Sequence, residues 1–415
     1  MRIVQKYGGS SVATAKQIKS IAEHIKKQKK NNEIVVVLSA RGKTTNKLLK
    51  KAHQFSSYPN KREVDQLLSI GEIESISLLA VALEEIGVPA ISLTGRQAGI
   101  KTNNNFSRAF IKDINTSKIE KELKKGKVVV IAGFQGTNKN KDTTTLGRGG
   151  SDTTAVALAA KLKCACEIYT DVPSVYTTSP QHFKDAKQIR KLSYDEMMEM
   201  SVSGAKVLET RCVELAKKYN VPLYVGKSLE KEKNGSIISS SHLEEMSVKS
   251  LAIKEDISVL EAQTNMPFKI VKVLEKQGLN LEMLTINQNK ISFAILSCEV
   301  ENVKKELKKL QILCKNTSNL TKFTLVGLGI STHAEICKKL YSTLFENNIK
   351  IFQSVLTEIS LQFTINKKDN ERTVKIVTEL FGLWYEKNKF SNSWSNWPSW
   401  LYILKSFRRK KIFNR

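Results

Sequence analysis

Two glycine-rich segments carry most of the chemistry this sequence could perform. The first, Lys6-Tyr7-Gly8-Gly9-Ser10-Ser11, follows a short apolar run and leads into a helical pattern. Its glycines let the main chain approach an anion, a helix start offers unpaired N–H groups, and Lys6 adds a mobile positive charge; phosphate fits all three. The lysine precedes the glycines, so this is not the Walker order, and a glycine pair after a strand also serves a tight turn. The second segment, TTTLGRGGSDTT from Thr143 to Thr154, again opens a helix. Arg148 can fork onto a carboxylate or phosphate, Ser151 can cap the helix, and Asp152 can orient a lysine or a metal-bound phosphate. A well-capped loop would carry the same residues. Two such loops in one sheet should both open at the carboxyl ends of strands, where α/β proteins hold ligands.

Three further segments could complete a site. Ser39-Ala40-Arg41-Gly42-Lys43-Thr44-Thr45 brings hydroxyls and cations to the end of a buried run. Ser69-Ile70-Gly71-Glu72 places a carboxylate at a helix start, where it can receive an ammonium group or act only through the helix dipole. The stretch from Tyr169 to Thr178 ends another strand with polar and aromatic groups that could hold a nucleoside. The five histidines are dispersed, as are the six cysteines, and Cys164-Ala165-Cys166 lacks zinc-ribbon or dithiol spacing. Neither a metal site nor a histidine-activated nucleophile is indicated, and free thiols are expected.

The elements that must position these groups fall into two grammars. Up to about residue 227, short β-branched runs alternate with longer helical patterns, as in a parallel sheet covered by helices. Strands are predicted at Arg2 to Lys6, Ile34 to Ser39, Pro89 to Leu93, Val128 to Ala132, Glu167 to Thr170 and Pro222 to Val225. Helices are predicted at Ala13 to Lys29, Asn46 to Phe55, Glu72 to Ile86, Thr153 to Leu162, Tyr194 to Ser201 and Ala205 to Tyr219. From Ser228 to Glu245 the pattern dissolves into a polar stretch, which marks a boundary. Beyond it one α+β grammar occurs twice, once from Ile257 to Leu310 and again from Phe323 to Phe381. Each copy should form a small sheet with an open face, and the two should pair. The final stretch from Tyr385 to Arg415 belongs to neither grammar, and is expected to be an appended basic, Trp-containing tail.

Composition narrows the field. With 415 residues, 41% of them hydrophobic and 26% charged, the chain is globular and multi-domain rather than disordered or collagenous. A net charge of +27 favours anionic partners, but the lysines are spread over helix faces. The interleaving of aromatic and basic residues that marks a nucleic-acid platform is absent before the last thirty or so residues, so no nucleic acid is expected. No uncharged apolar run reaches the roughly 18 residues of a membrane span, and the opening residues enter a strand pattern directly. A cytoplasmic location is expected.

Taken in order, these segments resemble aspartokinase: KYGGSSVA from Lys6, VVVLSARGKTTN from Val35, LLSIGE ending at Glu72, SLTGRQAGI from Ser92, VVIAGFQGTN from Val129, TTTLGRGGSDTTAVALAA from Thr143 and CEIYTDVPSVYTTSP from Cys166. The similarity continues through about Gly382. It implies an α/β amino-acid-kinase fold, mainly a parallel sheet covered by helices, over residues 1–240. Two ACT-like βαββαβ regulatory units would follow at 250–316 and 320–384, with the tail at 385–415. The implied reaction joins ATP and L-aspartate to give ADP and 4-phospho-L-aspartate, at the head of lysine, threonine and methionine synthesis.

The resemblance also implies roles. Lys6 would stabilise the transferred phosphoryl group and Asp152 would orient that lysine. Glu72 and Arg148 would grip the substrate's ammonium and α-carboxylate, with Ser39, Thr45, Gly149, Gly150 and Ser151 completing the substrate side. Gly8, Gly9, Thr170, Asp171, Tyr176, Gln181 and Lys206 would line the ATP site, with Mg2+ held mainly through phosphates and no protein metal site. An amino-acid effector, lysine with or without threonine, would act through the ACT units, which would also build a homodimer or larger homo-oligomer. Some positions depart from the family pattern. Ser174 stands for a glycine, where it should strain a turn, Gln181 replaces a nucleotide-side cation, and Phe110 and Gly226 stand where arginines are common. Pro267-Phe268 and Ala334-Glu335 replace proline-glycine effector loops. They leave a second possibility, an amino-acid-sensing protein on a catalytically weakened kinase scaffold.

Overall fold

The computed structural model describes residues 1–205, 207–230, 234–240 and 248–384. The amino-terminal half is built on an eight-stranded sheet. Its order runs Lys191–Ser193, Ser236–Ser239, Leu223–Lys227, Ala165–Thr170, Arg2–Tyr7, Glu33–Leu38, Val128–Ala132 and Ala90–Leu93. All neighbours are parallel except Leu223–Lys227 with Ser236–Ser239. Glu33–Leu38 and Val128–Ala132 are almost wholly buried because their Val and Ile side chains face helices on both sides. One face packs on Gly150–Leu162 and Thr210–Tyr219. The other packs on Ala15–Lys29 and Ile70–Glu85.

The covering helices follow their local chemistry. Ala15–Lys29 begins at a Thr14–Gln17 capping box and buries Ile18, Ile21, Ala22 and Ile25, an i, i+3, i+4, i+7 stripe. The helical stretch 61–85 is apolar enough by composition to cross a membrane. Here Ile76, Leu79 and Leu83 are instead core residues under the sheet.

The structure differs from expectation where signals were short or polar. Lys61–Leu68 is a separate helix, begun by an Asn60 side chain that accepts from Arg62 N–H. A four-stranded side sheet joins Ile111–Ile114, Ile100–Thr102, Gln135–Thr137 and Thr143–Thr145, strands of three or four residues that show no usable period. The expected helix from Ala205 starts only at Thr210. Ser236–Ser239, inside the supposed linker, is a strand whose Ser236 is buried and donates its hydroxyl to Ile189 O at 2.6 Å, with Ile238 buried in the core.

The carboxy-terminal half is one six-stranded sheet, not two. Its order is Met283–Asn287, Lys290–Leu296, Ser250–Gln263, Cys314–Val326, Ser360–Asn366 and Gln353–Leu356. Ser250–Gln263 and Cys314–Val326 are long antiparallel partners, in register from Ser250 opposite Val326 to Ala262 opposite Cys314. Register shifts between Lys254 and Val259 bend the pair. The second repeat therefore takes its fourth strand from Ser250–Lys254, upstream of the first repeat. Each repeat keeps a helix-covered core, and a third cluster joins them. In it Phe352 and Val355 of the second repeat pack against Met283, Ala294 and Leu320.

Candidate active site

Because the strands beginning at Arg2, Glu33, Val128 and Ala165 are parallel neighbours, their carboxyl ends share one edge. Only the first glycine loop emerges there; the second, expected on the same sheet, follows Thr143–Thr145 of the side sheet and reaches this edge through the start of Gly150–Leu162. Lys6 is the penultimate residue of the central strand Arg2–Tyr7, and its Nζ lies 2.5 Å from Asp152 Oδ1 in the first turn of Gly150–Leu162. The two side chains are 10% and 13% exposed, so the pair is sheltered yet reachable. Gly8 N–H donates to Tyr169 O at 3.1 Å, tying the first loop to the Thr170-Asp171 turn. A Cβ on Gly8 would stand 3.6 Å from Lys6 Nζ, and one on Gly9 would meet Ala40 O at 2.5 Å. Bare backbone beside an ammonium is what a phosphate cradle requires.

The 39–45 loop closes on this cradle through Arg41. Its guanidinium donates to Val12 O at 3.2 Å and Ala13 O at 2.9 Å, and pairs with Glu74 at 2.9 Å. Sequence reasoning saw only a cation there. The structure makes Arg41 the clamp between the two loops, a role that depends on contacts across distant segments. Ser39 N–H donates to Tyr7 O at 3.2 Å, and Thr45 sits in the first turn of Thr44–Phe55, half-buried.

Glu72, 3% exposed, accepts from Ala40 N–H at 3.1 Å through Oε1. Its other oxygen has no hydrogen-bond partner among the described residues. Loss of hydration pushes its carboxyl up to about 8, against a lowering contribution from the Ala40 N–H. A buried carboxylate with one unmet oxygen is a socket for a cation.

In the second glycine loop, Gly149 has φ +63°, and a Cβ there would meet Glu209 Cβ at 2.4 Å, so only glycine fits. Arg148 is exposed and makes no ion pair among the described residues, and Gly150 and Ser151 begin the helix carrying Asp152. Ser151 Oγ lies 2.7 Å from where a Cβ on Gly133 would stand, which puts it against the end of Val128–Ala132. Phe134, unremarked as a site residue, holds φ +67°, accepts from Leu146 N–H at 2.8 Å and donates its N–H to Thr154 Oγ1 at 3.1 Å. A left-handed phenylalanine is uncommon away from functional loops.

The nucleotide-side residues divide. Thr170 Oγ1 donates to Asp171 Oδ1 at 2.8 Å at the strand end, and Ser228 Oγ donates to Ser11 Oγ at 3.1 Å beside it. Tyr176 and exposed Gln181 lie instead on the hairpin formed by Val175–Tyr176 and Gln188–Ile189, and no hydrogen bond or ion pair among the described residues joins them to Lys6. Lys206 lies outside the described residues, as does the stretch 385–415. Ser174 is not strained: its φ is not positive, and its Oγ is 2.8 Å from Ser236 Oγ. Phe110 carries the Arg211 guanidinium 4.6 Å above its ring, and Tyr224 Oη occupies the space beside Gly226. Among the described residues no group of three His, Cys, Asp or Glu side chains could hold a metal ion.

Comparison with known proteins identifies the family to which this fold belongs. Residues 1–227 match the profile of the Amino acid kinase family, and the fold is of that class. The chain is 40% identical to an aspartokinase of Geobacillus stearothermophilus over 92% of its own length and 97% of that protein. It is 38% identical to aspartokinase 2 of Bacillus subtilis, covering 92% and 98%. The chain belongs to the aspartokinase branch of this family. Among solved structures, aspartate kinase from Synechocystis matches at TM-score 0.54 and 31% identity, over 95% of this chain and 71% of that one. E. coli aspartokinase III in complex with aspartate and ADP matches in fold at TM-score 0.79 and 22% identity, over 92% and 100%.

Proposed function

We propose that this chain transfers the γ-phosphoryl group of ATP to the side-chain carboxylate of L-aspartate, giving ADP and 4-phospho-L-aspartate, the first step toward lysine, threonine and methionine. The carrying observation is the sheltered Lys6–Asp152 pair beside bare glycine backbone. The acceptor carboxylate, with a reference pKa of about 3.9, is ionised at neutral pH. Its oxygen forms the new O–P bond as the bond from the γ-phosphorus to the bridging oxygen breaks, and ADP leaves. No proton moves, so no general base is needed.

The obstacle is repulsion between two anions and their alignment in line. Lys6 sets its ammonium against the transferring group, and Asp152 fixes where that ammonium points. Glu72 receives the substrate's ammonium and Arg148 its α-carboxylate, with Ser39, Thr45 and the Gly149-Gly150-Ser151 turn beside them. Gly8, Gly9, Thr170 and Asp171 face the nucleotide, with Tyr176, Gln181 and Lys206 further along its site. Magnesium fits this donor set if held chiefly by phosphate oxygens, and it supplies charge neutralisation when bound.

We further assign residues 1–240 to catalysis, and 250–316 and 320–384 to two ACT-like units that bind an end-product amino acid, lysine alone or with threonine. Support comes from the hairpin carrying Tyr176 and Gln181. Thr177 Oγ1 donates to Leu383 O at 2.7 Å, Lys187 Nζ donates to Gly382 O at 2.9 Å, and Phe183 packs into the second repeat's core. Assembly as a homodimer or larger homo-oligomer through these units, in the cytoplasm, completes the proposal. The six free cysteines suit a reducing compartment.

Purified protein given aspartate, MgATP and hydroxylamine should form aspartyl hydroxamate. Lys6→Ala should lower kcat by about 100-fold or more, the scale of losing one transition-state charge partner. Wild-type product no greater than that of the variant would refute the assignment.

A further inference from the structure

One buried charge has no part in the chemistry above. Asp65, in Lys61–Leu68, is wholly buried and pairs with no cation among the described residues. Its carboxylate is satisfied by two residues from elsewhere in the chain. Ser107 N–H lies 3.0 and 2.9 Å from its two oxygens and Ser107 Oγ donates at 3.2 Å. Thr145 N–H donates at 2.7 Å and Thr145 Oγ1 at 2.8 Å. Holding an ionised carboxylate away from water on neutral donors is costly unless the donors are fixed. Ser107 holds φ +68°, a conformation that serine rarely adopts, and that aims its N–H and hydroxyl at one carboxylate.

What the knot joins gives it meaning. Seven residues after Asp65 comes Glu72, in the next helix, Ile70–Glu85. Three residues after Thr145 comes Arg148. The loop between is held to the same knot, since Ala109 N–H donates to Thr145 O at 2.8 Å and a Cβ on Gly147 would stand 3.1 Å from Ser107 O. Arg211 bridges the outside, donating to Leu146 O at 2.9 Å and Ala109 O at 3.1 Å.

We propose that Asp65 is a positioning residue that sets the span between Glu72 and Arg148, and so the fit of the amino-acid substrate's ammonium and α-carboxylate. The proposal rests on the aspartate kinase assignment. It acts on the amino-acid substrate, because the Asp65 carboxylate hydrogen-bonds Ser107 and Thr145 and, among the described residues, has no hydrogen bond or ion pair to the Gly8-Gly9 loop or Lys6.

The test uses the full chain and the hydroxamate assay, varying aspartate at saturating MgATP and then the reverse. Wild-type turnover decides the assignment itself, and the variants are read only against an active wild type. Asp65→Asn should raise KM for aspartate about 10-fold, equivalent to roughly 1.4 kcal/mol, with KM for MgATP unchanged and kcat within about threefold. Thermal unfolding monitors folding. Should Asp65→Asn fail to fold, the double variant Ser107→Ala/Thr145→Val, which keeps both backbone donors, should raise KM for aspartate about threefold with KM for MgATP unchanged. Equal rises in both KM values, or an unchanged KM for aspartate in the folded variants, would overturn the proposal.

Discussion

At the scale of single residues, the site is defined by charges whose partners are incomplete. Glu72 is the sharpest case, since burial lifts its carboxyl from 4.5 to about 8. The unfolded chain releases that proton first, so the stability Glu72 contributes is complete below about pH 4.5 and is lost as pH rises through about 8. Glu72→Gln removes this penalty, and the ligand-free variant should be more stable than wild type at about pH 8.5, by about 2 kcal/mol, measured by thermal or urea unfolding. Substrate binding runs the other way, because an ammonium needs the ionised carboxylate. KM for aspartate should fall as pH rises from about 6 to about 8 and then level, while Glu72→Gln should show a raised and flat profile. A wild-type profile without that rise would place the ammonium elsewhere.

At the scale of elements, the cradle depends on close backbone approach. Gly9 lies where a Cβ would meet Ala40 O at 2.5 Å, and backbone cannot retreat as a flexible side chain can. Gly9→Ala should cost about 1–3 kcal/mol and raise KM for MgATP, because the first loop must lift from the 39–45 loop. Gly149→Ala combines a left-handed φ with a collision against Glu209, and should raise KM for aspartate more than KM for MgATP. Circular dichroism melts alongside both kinetic titrations would separate these outcomes. If the two glycines gave the same kinetic pattern, the division of the site into a nucleotide wall and a substrate wall would fail.

At the scale of the whole molecule, the halves meet at the 175–189 hairpin. Thr177 is one junction, beside the Gln362–Glu199 hydrogen bond: its Oγ1 donates to Leu383 O, and its own carbonyl accepts from Leu251 N–H at 2.7 Å. A shift of the second repeat therefore pulls directly on the hairpin that bears Tyr176 and Gln181, a physical link of the kind that differential effector binding can exploit. Phe183→Ala, which withdraws the hairpin's apolar anchor from the repeat's core, should leave turnover without effector within about threefold of wild type and weaken lysine inhibition by about 10-fold. The measurement is a lysine titration of the hydroxamate rate. An unchanged inhibition constant would mean that coupling passes through another contact.

Long, strongly patterned segments made much of this protein legible from sequence. The buried strands at Ile34 and Val128, the amphipathic helix after Thr14 and the glycine turns at Gly8 and Gly149 announce themselves, because burial on both faces, a 3.6-residue stripe or a chain reversal each demands particular residues locally. The order of motifs from Lys6 to Asp171 identified the family for the same reason. Tertiary structure decided what depends on remote partners. Strands of three residues exist only because a neighbour completes them. Ser174 is unstrained because its φ is not positive, and Ser236 meets its buried hydroxyl. The two repeats share one sheet because Ser250–Gln263 and Cys314–Val326 run past the end of either. Asp65 and Arg41 look like ordinary surface charges in the sequence. Their roles arise from donors and acceptors brought from distant segments, a pairing that no local periodicity encodes.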